Sequence, residues 1–381
     1  MILIALACAV AAGYQLFAIT ACVWHLVRRE RHAGPTEPAG ISILKPVRGA
    51  DPGFLDAIRS QARQDYSPFE ILFGVRDAAD PAIRDIQQLI QEFPALGIRL
   101  VMCSTDAPNR KVGTLMDLAR EARFPVLVVS DSDISVPAEY LRAVTAPLSD
   151  PAIGLVTCLY RAEARDWPSR FEALAIATEF APSTLVAPFV GISEFALGST
   201  LAFRRADLDK IGGFAAITDY VADDYQLGKR IHRLGYRNWM SKVVVSTRVA
   251  AGSWSGAWKH QLRWARTIRL SRGAGYAGLP VTFATFWAVV AAAFGFWWMA
   301  LAVLAARFAM AITAGWIVLR SNDVWKYLPL IPIRDMWGVA IWAVGLVGNT
   351  VEWRGRTLRL DAEGKIVGEV VRNERMNRPV T

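Results

Sequence analysis

Val126-Leu-Val-Val-Ser-Asp-Ser-Asp-Ile134 is the stretch whose reading decides the fold. Its four leading apolar residues, mostly β-branched, predict a strand buried on both faces. That strand runs straight into two acids spaced one residue apart. In an open α/β sheet, ligands bind outside the carboxyl ends of the strands, so Asp131 and Asp133 are predicted at a ligand site. Two carboxylates in this relation can share one hard divalent cation. Mg²⁺ or Mn²⁺ takes oxygen ligands and completes its shell with water and substrate phosphates. For an isolated Asp-Ser-Asp, capping of the following turn by Asp131 or Ser132 is the simpler explanation. The rest of the chain decides between the two.

Working outward, Ile41-Ser-Ile-Leu44 opens a strand ending in Lys45-Pro-Val-Arg-Gly49, and Phe69–Val75 is a second strand that delivers Arg76-Asp77 to the same edge. Between them Phe54, Leu55, Ile58 and Ala62 form a helical stripe. Asp80-Pro81 then starts a helix whose apolar positions are Ile83, Ile86, Ile90 and Phe93. Ile98–Met102 is a third strand and Val112–Ala122 a third helix. Strands alternating with helices of this length predict a mostly parallel α/β sheet with helices on both faces. No GxGxxG turn or GxxxxGK[ST] loop occurs, so the usual dinucleotide and P-loop readings lack their fingerprints.

The second half has a different rhythm. Strands are expected at Gly154–Tyr160, Gly198–Arg204 and within Asn238–Val249, and a short helix over Arg205–Ile211 ends at Gly212-Gly213. Phe171–Ile192 is a long apolar stretch broken by Pro182 and Pro188, predicted as a helix lying along a membrane surface. Ala222-Asp-Asp-Tyr225 opens a helix with Leu227, Ile231 and Leu234 on its stripe. Ser255–Ser271 is a basic amphipathic helix, with Lys259, Arg263 and Arg266 on one face and Trp258, Leu262 and Ala265 beside it, the usual pattern of a membrane-surface face.

The chain's 381 residues are 53% hydrophobic, and the excess sits at the two ends. Residues 1–27 carry no Asp, Glu, Lys or Arg, and Arg28-Arg-Glu-Arg-His32 follows. That is long enough to span a bilayer core of about 20 residues. The basic cluster follows the apolar run instead of preceding it, which favours a retained anchor over a cleaved signal peptide. Residues 28–40 form a Pro/Gly linker, 279–351 a second membrane region of two or four crossings, and 352–381 a basic tail. Basic clusters flank every apolar stretch, so residues 41–272 and the tail are expected in the cytoplasm. A net charge of +9 suits an anionic membrane face, and no nucleic-acid partner is expected. The four cysteines have no metal-binding spacing.

Acids and bases in the catalytic part fall at predicted strand ends: Lys45 and Arg48, Asp77, Asn109-Arg-Lys111, Asp131 and Asp133, then Asp223 and Asp224, followed by Arg263. A metal-binding pair with several cations suits a diphosphate substrate. Positive charge would hold the leaving diphosphate while a separate carboxylate deprotonates a hydroxyl. Asp223 and Asp224 are both placed to be that base, and periodicity does not choose between them.

As an ordered set, Lys45-Pro-Val-Arg-Gly49, Asn109-Arg-Lys-Val-Gly-Thr-Leu115, Ser130-Asp-Ser-Asp-Ile134, Gly198-Ser-Thr200, Asp223-Asp-Tyr225 and Arg263-Trp264 resemble the ceramide glucosyltransferase family. Its members are membrane-anchored, inverting glycosyltransferases with the GT-A nucleotide-diphospho-sugar fold. The length and the Trp353-Arg-Gly-Arg356 tail look more like the branch acting in bacterial hopanoid biosynthesis. The resemblance implies that Asp77 faces the uridine, that Pro46, Lys111 and Asp131 bind the donor, and that Asp131 and Asp133 hold the metal. It implies Asp224 as catalytic base and Arg263-Trp264 as the end of a (Gln/Arg)-x-x-Arg-Trp motif, whose first position is His260 here. The implied reaction moves N-acetylglucosamine from its UDP donor to a hopanoid tail at a bacterial inner (cytoplasmic) membrane, in a multi-pass protein. Glucosylation of ceramide is the rival. A processive polysaccharide synthase and a non-catalytic membrane adaptor are the remaining alternatives.

Overall fold

The computed structural model describes residues 1–29 and 39–370; most of the expected linker and the end of the tail lie outside the described residues. The strands β1 (Ile41–Pro46), β2 (Phe69–Val75), β3 (Gly97–Met102), β4 (Val126–Val129), β5 (Ile153–Ala164), β6 (Leu201–Arg204) and β7 (Arg237–Val249) form one sheet. Its spatial order is β3-β2-β1-β4-β6-β5-β7. The first four strands are mutually parallel, because each crosses over through a helix: Phe54–Ala62, Ala82–Glu92 and Arg110–Glu121. Strand β6 then runs antiparallel between β4 and β5, and β5 pairs in parallel with β7.

Alternation within the strands builds two cores. Ile43, Ile71, Phe73 and Val128 pack against Ile58, Ile86, Leu89 and Tyr140 on one face. Their neighbours Leu44, Leu72, Leu127 and Val129 pack against Leu115, Leu118, Leu227 and Ile231 on the other. Successive side chains of a strand point to opposite faces, so a sheet covered on both sides reads as the unbroken apolar run seen at Val126–Val129. Each fully buried aliphatic side chain contributes about 1.5–3 kcal/mol. Local signals set the element ends. The Asp80 carboxylate accepts from the amides of Ala82 (2.9 Å) and Gly49 (2.9 Å), which starts one helix and pins the loop after β1 to it.

Among the described residues, three helices are long and apolar enough to cross a membrane: Ile2–Val27, the run Trp167–Val190 and the run Trp297–Val318. The second differs from expectation. Phe171–Ile192 does not lie exposed along a surface: it belongs to a continuous helix that passes through a π-helical turn at Ile176–Phe180 and ends in a 3₁₀ turn. Its Pro182 follows the π-helical turn and Pro188 falls in the closing 3₁₀ turn, places where the regular i→i−4 ladder is already interrupted. Leu174, Ala177, Ala181, Leu185 and Val186 are buried against Ala18 and Cys22 of the N-terminal helix and Met310 and Val318 of the third. Phe189 remains half-exposed, edge-on to Phe17.

Two further expectations change. The basic face of the amphipathic helix, here Trp254–Ser271, is not a free membrane-facing surface. Lys259 pairs with Glu352 (3.0 Å), and Arg266 donates to the carbonyl of Thr350 (2.7 Å). The adjacent apolar face packs on the helix Ile331–Gly345 through Ala265, Leu262, Trp258 and Ile341. What these cations hold is the tail, which folds into a three-stranded antiparallel sheet, β8 (Thr350–Trp353), β9 (Arg356–Leu360) and β10 (Ile366–Glu369). Its core of Val351, Leu358 and Leu360 closes over Val221, just before the Asp223-Asp224 helix.

Candidate active site

The carboxyl end of β4 lies at the switch between parallel and antiparallel pairing, and there the chain places its acids. Asp131 does not cap the following turn with its side chain. Its carboxylate receives Lys111 Nζ at 2.9 Å, while only its backbone oxygen closes the turn, accepting from Ile134 N. Lys111 is held at the start of its helix by the Asn109 cap, whose side chain accepts from the amides of Lys111 and Val112. The same Lys111 Nζ lies 3.0 Å from Asp223 Oδ2. One ammonium therefore ties the Asp131 end of β4 to the helix carrying the second acid pair. Burial opposes that charge, but Asp131, Asp223 and Asp224 outweigh it and raise the Lys111 pKa.

Lys45, fully buried at the end of β1, donates to Ser130 Oγ (3.0 Å) and to the Asp131 carbonyl (2.7 Å). Burial lowers its pKa to about 8, against the pull of Asp133 and Asp131. Pro46, the last residue of β1, extends beside Gly74 at the same edge. Asp133 accepts from the Thr247 hydroxyl of β7, and burial followed by the Asp131 charge raises its pKa. An acid raised by the carboxylate beside it in a partly buried cleft is what a cation would relieve. Among the described residues no group of three or more His, Cys, Asp or Glu is placed to hold a metal ion, so a cation shared by Asp131 and Asp133 would take its other ligands from water and substrate. That fits the hard, phosphate-sharing ions expected here.

The structure separates the two adjacent acids that periodicity left equivalent. Asp223 is buried and paired with Lys111, whereas Asp224 Oδ2 accepts from Gly198 N at 2.8 Å. A Cβ on Gly198 would lie 3.2 Å from Asp131 Oδ2 and 3.3 Å from Asp224 Oδ2, so the two carboxylates flank the glycine across a gap that a side chain would fill. Burial and the neighbouring Asp223 charge push Asp224 up to about 6, which lets it titrate near neutrality.

Arg263 makes no side-chain hydrogen bond or ion pair with the described residues. Burial lowers its pKa, while Asp131 and Glu172 partly support its charge. Trp264 is a wall residue, its ring 6.1 Å from that of Phe180, packed against the cluster of Ala162, Ala173 and Ile176. His260, at the position where the motif implies Gln or Arg, has Nδ1 2.5 Å from Glu172 Oε1 and its ring 4.8 Å from Trp264. Asp77 sits two residues past β2, exposed at the same edge, and accepts from Ala79 N. Lys45, Lys111, Asp131, Asp223 and Asp224 are thus joined by contacts around the carboxyl end of β4, while Pro46 and Asp77 follow the ends of β1 and β2 and Trp264 packs beside Phe180.

Sequence reading missed Thr247, Glu172 and Tyr160. Burial, and then the charges of Glu172, Asp224, Asp131 and Asp133, raise the Tyr160 pKa. Its only sequence signal was its place near the end of an apolar strand. Thr247 and Glu172 carried none, since each matters through a partner more than 80 residues away (114 and 88).

The sequence profile described as Glycosyl transferase family 21 matches residues 3–366. Among curated proteins, Ceramide glucosyltransferase 1 of Caenorhabditis elegans is 27% identical over 256 residues, covering 62% of this chain and 54% of that protein. Beta-monoglucosyldiacylglycerol synthase of Synechocystis sp. is 28% identical over 192 residues, covering 49% of this chain and 38% of that protein. The chain spans about half the length of the first of these relatives. A mannosyltransferase from Pyrobaculum calidifontis, solved in complex with GDP-Man and Mn²⁺, superimposes with a TM-score of 0.57 at 19% identity, covering 90% of this chain and 96% of that one. At that identity the likeness establishes the fold, which is GT-A-like.

Proposed function

The chain belongs to glycosyl transferase family 21, and from that premise we propose that it transfers a sugar from a UDP donor to a hydroxyl of a membrane lipid, with inversion. The observation that carries this reading is the pair of carboxylates, Asp131 and Asp224, facing each other across Gly198 beside an unpartnered arginine. Asp224 takes the proton of the acceptor hydroxyl as its oxygen attacks the anomeric carbon, and the bond from that carbon to the diphosphate breaks. Oδ2 is oriented by the Gly198 amide and Oδ1 by the amide of Tyr225 (2.7 Å), so the base is held before substrate arrives. Arg263 is placed to meet the developing negative charge of the leaving group. Lys111 fixes Asp131 and Asp223 in one register. Mg²⁺ or Mn²⁺ at Asp131 and Asp133, when bound, neutralises charge on the diphosphate. Pro46 and Asp77 line the donor side at the ends of β1 and β2.

The finer reading is N-acetylglucosamine transferred to the hydroxylated tail of a hopanoid, at the cytoplasmic face of a bacterial inner membrane. It rests on the resemblance that the Trp353-Arg-Gly-Arg356 tail carries. A second reading, glucose transferred to ceramide or to another lipid, has the names of the relatives above in its support, which do not favour it over the first. Incubating the purified full chain with a total bacterial lipid extract plus ceramide, and with each UDP-sugar in turn, separates them by product mass. A hexosamine on a hopanoid supports the first and a hexose on ceramide the second. No sugar on any lipid overturns both.

A further inference from the structure

Lys259 and Arg266 stand one turn to either side of Arg263 on the same helical face, and both grip β8, at Glu352 (3.0 Å) and at the Thr350 carbonyl (2.7 Å). The strand therefore runs back along the face that carries Arg263, and the turn after it is delivered beside the site. That turn has two residues, Arg354 and Gly355, because Trp353 pairs with Arg356 across it. Both have positive φ, +48° and +80°. Such a turn favours Asn or Asp followed by Gly, since the left-handed region crowds the Cβ of a longer side chain. An arginine at its first position is a poor turn former, which points to a use for the side chain itself.

The guanidinium leaves the tail and reaches the donor side. Its Nη2 and Nη1 lie 3.3 and 3.4 Å from a single oxygen, Oδ2 of Asp51, in the loop that follows Pro46 and β1. The pair is long and open to water, the Arg354 side chain 45% and the Asp51 side chain 39% exposed. Exposed pairs of this kind hold weakly and exchange. Nor is Arg354 remote from the chemistry. Burial lowers the Arg263 pKa and the Arg354 charge lowers it further, while Asp131 supports it. Two guanidinium groups close enough for one to disfavour the other's charge are what a multiply charged anion would relieve. The Asp131 side chain, 44% exposed, keeps the site open to one.

We propose that Arg354 is a donor-binding residue, which exchanges Asp51 for the diphosphate of the sugar nucleotide and holds it from the tail side, opposite Arg263. This rests on the sugar-nucleotide reading above. A diphosphate carries more charge than one carboxylate and offers several oxygens to the planar guanidinium fork, so it displaces Asp51. The tail sheet is then part of the donor site: β8 sets the arginine beside Arg263, and the contact with Asp51 parks it there until the donor arrives.

The test is UDP affinity, measured by calorimetry with Mg²⁺ on the full chain in phosphatidylcholine nanodiscs. Arg354→Asn removes the guanidinium and puts Asn-Gly into a turn that favours it, so the melting temperature should hold or rise. UDP affinity should nevertheless fall about tenfold, as for loss of a charge-assisted contact. Asp51→Asn releases Arg354 and should raise UDP affinity about twofold, the scale of an exposed ion pair. Arg356→Gln removes an equal charge just outside the turn and should change affinity by less than about twofold, because salt screens a charge that makes no contact. Unchanged affinity in Arg354→Asn overturns the proposal. So do parallel losses in Arg354→Asn and Asp51→Asn, which mark a structural strut, and equal losses in Arg354→Asn and Arg356→Gln, which mark a general charge effect. Absence of UDP binding by the unaltered chain defeats the UDP-donor reading itself.

Discussion

At the carboxyl end of β4, Asp131, Asp133, Asp223 and Asp224 face Lys45, Lys111 and Arg263; inside the helix bundle, Arg307 faces Asp335 and closes on it. The first cluster is left one positive charge short and keeps one arginine unpartnered. The second is neutral and bonded on nearly every polar atom. A charge surplus costs stability unless a ligand relieves it, which makes the unbalanced cluster the candidate for chemistry and the balanced one the candidate for packing.

The largest break of this comparison is Asp224→Asn. If the surplus acid is the general base, turnover falls roughly 10³-fold while UDP affinity, measured by calorimetry, stays within a few-fold. Retained turnover would mean that the surplus is structural. The balanced pair should answer in the opposite currency. Asp335→Ala strands Arg307 and should cost about 3–5 kcal/mol in a denaturant titration, whereas the double change Arg307→Met with Asp335→Leu should be near neutral or stabilising. Equal losses in the single and double variants would refute the packing role.

Asp133→Ala sharpens the comparison on the donor side. Turnover should drop at least ~10²-fold, in line with removal of one electrostatic stabiliser, and the unaltered enzyme should lose activity in EDTA. Full activity of enzyme shown by elemental analysis to be metal-free would end the metal assignment. The smallest effect is in pH. Burial and Asp223 raise Asp224 to about 6, so the basic form is present above that pH and is lost as pH falls through it. The value of kcat/KM should decline about tenfold per unit below about 6. A profile flat down to pH 5 would remove Asp224 from the step.

Much of the donor half was legible because its signals are local. Val126–Val129 is apolar on both faces because helices cover both faces, and the parallel register of β1, β2 and β4 follows from the crossover helices between them. Acids just after such strands must reach one edge. Leu185 shows where that logic stops. A broken apolar stretch with two prolines looks interfacial, yet Leu185 is buried against the N-terminal helix, since burial there depends on a partner some 160 residues away. The tail reads as basic and polar, while in the fold its alternation of Val351, Leu358 and Leu360 makes a small sheet over Val221.

By itself the sequence determined the alternating α/β half, the acids at its strand ends and the apolar helices, because periodicity and strand-end position record how each segment meets its own surroundings. Only the tertiary structure decided that Lys111 joins Asp131 to Asp223 and that Asp224, not Asp223, faces Asp131 across Gly198. It alone decided that Arg307 is closed on Asp335 while Arg354 of the tail reaches Asp51. Each of these is a relation between side chains on different elements, fixed by sheet register and helix packing to within an ångström, and no spacing along one segment encodes it.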